Sequence, residues 1–81
     1  MVQVTVRYFA AARAAAGIAQ ETISASTLGE LLSRLRSRHG ERLSSVLAVS
    51  SLLLDGLNIR DGWAPLPPDA EVDVLPPFAG G

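Results

Sequence analysis

The first residues of the chain alternate regularly between apolar and polar. The apolar members are Val2, Val4, Val6 and Tyr8. A period of two is typical of a β-strand that buries one face. An alanine-rich stretch over residues 10–16 follows and stops at Gly17. Because alanine is the best helix former and glycine commonly follows a helix, this stretch predicts a short helix. A second strand is predicted over residues 20–25.

The strongest helix signal begins at Thr27. Thr27 and Glu30 have the spacing of a capping box, in which the threonine accepts from a first-turn amide and the glutamate reaches back. Glu30 and Arg34 are spaced for a favourable pair on the solvent side. One buried stripe is predicted from four leucines at i, i+3, i+4 and i+7. They are Leu28, Leu31, Leu32 and Leu35.

The end of this helix carries Arg36, Arg38 and His39 just before Gly40. Positive charge in the last turns complements the helix dipole, and glycine is a common helix stop. His39 is the only histidine of the chain, and we interpret it as a dipole or capping residue rather than a catalytic base. Residues 41–47 predict one further helical turn.

The remaining elements complete an α+β layout. Asp55-Gly56 lies between two apolar runs and suits a type I′ hairpin turn. Val72 and Val74 mark a final strand, which the following prolines must end. The order strand, short helix, strand, long helix, hairpin, strand is that of a ubiquitin-like β-grasp: a small mixed sheet crossed by one main amphipathic helix, with the first and last strands parallel at its centre. Periodicity supports the α+β class but does not fix the strand order.

Composition narrows the possible functions. Eighty-one residues that are 48% hydrophobic suffice for one domain, which we place at residues 1–75, with an extended tail at 76–81. There is no cysteine, and all seven basic residues are arginine. Cysteine and lysine chemistry are therefore excluded, and a net charge of −1 provides no nucleic-acid surface. No stretch predicts a signal peptide or membrane span, so we expect a cytoplasmic location.

Catalysis within the chain has little support. The serines have no plausible base other than His39, and several aspartates fall in predicted turns. Glu71 and Asp73 lie two residues apart on a strand, but without further ligands they make a weak cation site. We therefore predict no metal site and no enzyme activity for this chain on its own.

The last residues offer a different kind of chemistry. Pro76 and Pro77 stiffen the base of an apolar tail that continues through Phe78 and Ala79 to Gly80 and Gly81. A narrow pocket that must reach a backbone carboxylate has no room for Cβ atoms, which glycine lacks. Adenylation would give that carboxylate a good leaving group, and a sulfur nucleophile could then convert it to a thiocarboxylate.

The whole chain resembles the MoaD-like family, the small subunit of molybdopterin synthase. The resemblance rests on the segments Val6-Arg7-Tyr8-Phe9-Ala10 with Arg13 and Gly17, Thr27-Leu28-Gly29-Glu30-Leu31-Leu32, Leu66 with Asp69-Ala70-Glu71-Val72, and Pro76-Pro77-Phe78-Ala79-Gly80-Gly81. It implies that Gly81 is the activated residue, as glycyl adenylate and then 1-thioglycine. It also implies that Gly80, Ala79, Phe78 and Pro77 bind the partner.

The resemblance further implies two partners. One is the MoaE-like large subunit of molybdopterin synthase, which would hold the catalytic pocket. The other is a MoeB-like, E1-type adenylyltransferase, which would use ATP, while this chain itself would bind no cofactor. Two alternatives stay open: a related β-grasp sulfur carrier for thiamine or cysteine biosynthesis, and an interaction module whose Gly-Gly end has no chemistry.

Overall fold

A computed structural model describes residues 1–77 of the chain. Its strands are β1 (Val2–Tyr8), β2 (Gln20–Ala25), β3 (Ser51–Leu54), β4 (Leu57–Asn58) and β5 (Glu71–Leu75). Its helices are α1 (Ala11–Ala16), α2 (Leu28–His39) and α3 (Glu41–Val49). The predicted α+β class is confirmed.

The five strands form one mixed sheet in the order β2-β1-β5-β3-β4. β1 and β5 are parallel, with Tyr8 opposite Val74, and the other neighbouring strands are antiparallel. The predicted parallel pairing of the first and last strands is therefore confirmed. As a consequence, β5 is hydrogen-bonded on both sides when it reaches the tail.

Helix α2 covers one face of this sheet. Its buried leucines are Leu28, Leu31 and Leu35, whereas Leu32 is half-buried against the same core. The Glu30 amide donates to Thr27 Oγ1 at 3.2 Å, as the capping box predicts. The Glu30 carboxylate reaches back one residue further than the motif requires and accepts from the Ser26 amide at 2.8 Å.

Helix α3 is longer than the single turn that the sequence predicts. It runs from Glu41 to Val49 and buries Leu43 and Leu47. Gly40, with φ of +79°, separates α2 from α3. This left-handed φ is accessible to glycine without Cβ strain, so the chain can start a second helix immediately and pack it against the first.

The conformations of two loops follow from the residues that form them. Asp55 and Gly56 both have positive φ, 47° and 86°, as a type I′ turn requires. The loop after β4 lies against the start of α2, where the Gly29 amide donates to the Gly62 carbonyl at 2.8 Å. None of the helices in residues 1–77 is long and apolar enough to cross a membrane.

Candidate site at the base of the C-terminal tail

The tail begins at the end of a central strand. Leu75, the last residue of β5, pairs with Ser51, and the Phe9 amide donates to the Val74 carbonyl at 3.3 Å. Pro76 is half-buried and Pro77 is exposed. Because neither proline has an amide hydrogen, the ladder ends here, and the chain departs from a base fixed by both neighbouring strands.

An ion pair on the open face of the sheet joins the strands beneath the tail. Arg7 Nε donates to Asp73 Oδ1 at 2.7 Å, and Nη2 donates to Oδ2 at 2.9 Å. The hydrogen bond and the charge of Asp73 hold the pKa of Arg7 above its usual value. This two-pronged contact fixes the relative position of β1 and β5.

A shallow groove lies beside the tail base. It has a volume of about 270 Å³ and is lined by Arg7, Tyr8, Phe9, Ala10, Arg13, Ala19 and Gln20. The Arg7 guanidinium carbon is 5.7 Å from the centre of the Phe9 ring, which is 39% exposed. The groove therefore presents an aromatic face and positive charge, both suited to contact with another protein.

On the covered face, a buried carboxylate joins β1, β2 and α2. Glu21 Oε2 accepts from the Tyr8 hydroxyl at 2.5 Å and lies 2.5 Å from His39 Nε2. Arg38 Nε is 2.7 Å from Oε1, which nevertheless accepts no hydrogen bond among the described residues. Arg38 therefore acts on Glu21 mainly through its charge.

The surroundings of Glu21 determine the protonation states of this cluster. Burial favours the neutral acid, but the hydrogen bonds from Tyr8 and His39 and the charges of His39 and Arg38 outweigh it and lower the pKa of Glu21. Burial, together with the bond to Glu21, raises the pKa of Tyr8. The cluster thus contains a carboxylate that is ionised at neutral pH and a phenol that stays protonated.

Most of the predicted site lies outside the described residues. Phe78, Ala79, Gly80 and Gly81 belong to that part, so their assigned roles stay predictions, as does that of Pro77.

Other sequence interpretations change with the structure. His39 does lie in the last turn of α2, but its contact with Glu21 was missed. The alternation of side chains along β2 could have indicated this contact, because Glu21 lies on the same inward-facing side of the strand as Ile23 and Ala25. Asp73, considered as a weak cation ligand, binds Arg7 instead. Among residues 1–77, no group of three or more histidines and carboxylates is placed to hold a metal ion.

A five-stranded mixed sheet crossed by one main helix, with the tail leaving its central strand, defines a ubiquitin-like β-grasp protein. The model of the ThiS family matches residues 6–81, a span that includes the complete tail. The chain belongs to the ThiS family. No curated protein matches the chain in sequence.

Solved structures with the same fold include proteins of two kinds. Subunit 1 in the complex of subunits 1 and 2 of the molybdopterin-converting factor from Helicobacter pylori is 29% identical, with a TM-score of 0.77; the alignment covers 99% of this chain and 100% of that one. A Pyrococcus furiosus protein described as molybdopterin converting factor subunit 1 is 26% identical, with a TM-score of 0.82, covering 96% and 100%. Small archaeal modifier protein 1 from Methanosarcina acetivorans is 28% identical, with a TM-score of 0.83, covering 100% and 98%.

These likenesses define the class of this protein. It is a small ubiquitin-like protein of the sulfur-carrier or modifier type.

Proposed function

We propose that this chain is the sulfur-carrying small subunit of a molybdopterin synthase. The observation that carries the proposal is the position of β5, which pairs with β1 up to Val74 and with β3 up to Leu75 and leads directly into the proline-stiffened tail. A base held in this way limits the directions in which the tail can extend, so a reactive end can be presented at a defined place.

The chemistry takes place at Gly81. The terminal carboxylate attacks the α-phosphate of ATP and displaces pyrophosphate, forming a glycyl adenylate. The terminal sulfur of a donor protein's persulfide then attacks the carbonyl carbon and displaces AMP, which gives an acyl disulfide between Gly81 and the donor. A thiol reduces that S–S bond, forms a disulfide with the donor's sulfur and leaves the thiocarboxylate on Gly81. Gly80, which lacks a Cβ, supplies the narrow approach, while Pro77, Phe78 and Ala79 contact the partner's channel. The thiocarboxylate sulfur is finally transferred to form the dithiolene of molybdopterin.

Two proteins supply what the chain lacks. The large subunit provides the pocket in which sulfur is transferred; the Helicobacter pylori complex of two subunits supports this pairing. An E1-like adenylyltransferase supplies the ATP site, and this chain binds no cofactor of its own. The groove with Phe9 and Arg7 provides a docking surface beside the tail, and the reaction belongs in the cytoplasm.

Intact-protein mass spectrometry tests the carrier chemistry. The chain is incubated with an E1-like adenylyltransferase, ATP and a sulfur source, and a mass gain equal to replacement of one oxygen by sulfur is expected. Fragmentation should place the sulfur on Gly81. Adding the large subunit and the pterin precursor should then return the carrier to its original mass. A carrier that is never loaded, under conditions that load a known carrier, contradicts the proposal.

A second candidate is a ubiquitin-like protein modifier, supported by the 28% identity with the Methanosarcina acetivorans modifier over the full chain. In that case the activated Gly81 would form an amide with a lysine of a target protein. The same activation reaction distinguishes the two: adducts with other proteins indicate a modifier, and consumption of sulfur by a pterin precursor indicates a carrier. Transfer to a thiamine or cysteine precursor would instead indicate one of the related carriers.

A further inference from the structure

The outer edge of the sheet carries a groove that the proposed carrier function does not use. It lies between β2 and α2 and has a volume of about 550 Å³. Its lining residues are Thr22, Ile23, Ser24, Ser33, Arg34, Ser37 and Arg38. Within the described part of the chain β2 pairs only with β1, and its other edge forms one wall of this groove.

The backbone direction along β2 follows from its register. The Tyr8 amide donates to the Ala19 carbonyl, and Val6 pairs with Glu21 two residues further along. In an antiparallel pair, hydrogen-bonded and non-hydrogen-bonded positions alternate. Thr22 and Ser24 therefore direct their amide and carbonyl groups away from β1, toward the groove.

Two residues further along the same edge, at Ser26, other parts of the protein already bind the outward backbone groups. The outward groups of Ser26 are both bonded: its amide donates to Glu30 and its carbonyl accepts from the Leu66 amide at 3.0 Å. For Thr22 and Ser24, no such outward partner occurs within residues 1–77. The backbone groups of Thr22 and Ser24 on this edge are thus open to a further strand. They continue the edge on which the Leu66 amide already binds Ser26.

The charge of the groove selects the kind of segment that fits. Arg34 and Arg38 project from adjacent turns of α2, their side chains are 44% and 62% exposed, and the lining includes no carboxylate. Arg34 has a loose contact with Glu30 at 3.9 Å and an exposed, weak hydrogen bond from Nη2 to Met1 Sδ at 3.6 Å, and Arg38 contacts Glu21 through Nε. A second copy of this chain on the same edge would bring two such arginine pairs together, which disfavours that occupant.

We propose that the groove between β2 and α2 binds an acidic segment of a partner protein in an extended conformation, as an added strand on β2. The backbone groups of Thr22 and Ser24 supply the ladder bonds, and Arg34 and Arg38 attract the carboxylates. This site lies two strands away from β5, so it is independent of the proposed sulfur chemistry.

Amide hydrogen exchange measured by NMR tests the proposal. The probe is an acetylated peptide of alternating valine and threonine residues followed by a run of glutamates, added to the full chain. Thr22 and Ser24 amides should exchange quickly in the free protein and slow down as the peptide is added. Binding should weaken as salt is raised, because exposed charge interactions are screened.

Three variants test whether binding depends on the arginine charge in the groove and not on the tail. Arg34→Ala should weaken peptide binding roughly two- to fivefold, the range for partly exposed ion pairs. Arg36→Ala removes the same charge from α2 outside the groove and should leave binding unchanged. Peptide binding should also persist when Gly81 is deleted.

Three results would overturn the proposal. One is that Thr22 and Ser24 gain no protection at saturating peptide. Another is equal binding of a peptide whose glutamates are replaced by lysines. The third is protection that grows with protein concentration in the absence of peptide, which would identify a second copy as the occupant.

Discussion

Arg7 binds Asp73 through two parallel hydrogen bonds, and this pair lies two residues before β5 ends at Leu75. A guanidinium and a carboxylate match each other in a planar, two-pronged geometry that a single ammonium cannot reproduce. Asp73 is largely covered, whereas Arg7 is more exposed. The contact therefore defines the geometry of the tail base and also contributes to stability.

Replacing Arg7 with lysine should lower the melting temperature even though the charge is kept, because lysine makes only one of the two bonds. Arg42→Lys on α3 is the matched control, since Arg42 is exposed and has no ion pair among the described residues. Differential scanning calorimetry of both variants measures the effect. Equal melting temperatures for the two would show that the planar pairing is unimportant.

The buried carboxylate of Glu21 predicts how stability depends on acid. Its pKa is lowered in the folded state, so its contribution is complete above the unfolded-state value of 4.5 and is lost as the pH falls through the lower folded value. In the Glu21→Gln variant, the free energy of unfolding should therefore fall less steeply as the pH is lowered below 4.5. Urea unfolding at a series of pH values in that acid range measures the difference. An equally steep fall would contradict the assignment.

Tyr8 predicts how stability depends on alkaline pH. Its pKa is raised above the ordinary value of 10, so its contribution is complete below pH 10 and is lost as the pH rises beyond it. Tyr8→Phe removes a hydrogen bond to a charged group and should reduce the free energy of unfolding by about 1–3 kcal/mol at neutral pH. The difference from the unmodified protein should shrink in alkaline solution.

These clusters show where sequence reasoning succeeds and where it stops. The strand of alternating valines, the leucine stripe and the Asp55-Gly56 turn are local patterns, and the structure confirms them. The partner of His39 depends on which strand lies under the end of α2, and that information is tertiary. Likewise, Arg7 and Asp73 are 66 positions apart, and only the parallel pairing of β1 with β5 makes them neighbours.

The extent of α3 illustrates a smaller limit of the same kind. Leu43, Val46 and Leu47 have helical spacing, but the sequence does not tell how far the helix continues past Leu47. In the structure, α3 packs against both α1 and α2 and continues to Val49. Packing against neighbours thus sets the length of an element whose own signal is short.

Leu31 tests the core beneath α2. Its side chain is completely buried, so Leu31→Ala should reduce the free energy of unfolding by about 2–5 kcal/mol. Leu57→Ala is the matched control, because Leu57 on β4 is 74% exposed and its truncation should change little. Urea unfolding of the two variants measures the contrast, and similar losses would mean that the buried stripe is misassigned.

Gly29 tests the contact between α2 and the loop that follows β4. A Cβ at this position would lie 3.0 Å from the Gly62 carbonyl oxygen, which the Gly29 amide already binds. Glycine to alanine normally stabilises a helix interior by about 0.5–1 kcal/mol, but here the carbonyl must move. Gly29→Ala should therefore bring no stabilisation and should speed exchange of the Gly29-site amide. A gain of the usual size would show that the loop yields freely.

The tail separates function from stability. The last residue that the structure places in the core is Val74, and β5 ends at Leu75, seven and six positions before Gly81. Deleting Gly81 should therefore leave the melting temperature unchanged and abolish sulfur loading, since the carboxylate would then belong to Gly80 and lie one residue short of the activating site. Val74→Ala is the opposite control: it should lower the melting temperature through a core cavity while still accepting sulfur below that temperature. If deletion of Gly81 destabilised the fold as much as Val74→Ala does, the tail would be part of the domain instead of the end it presents to its partners.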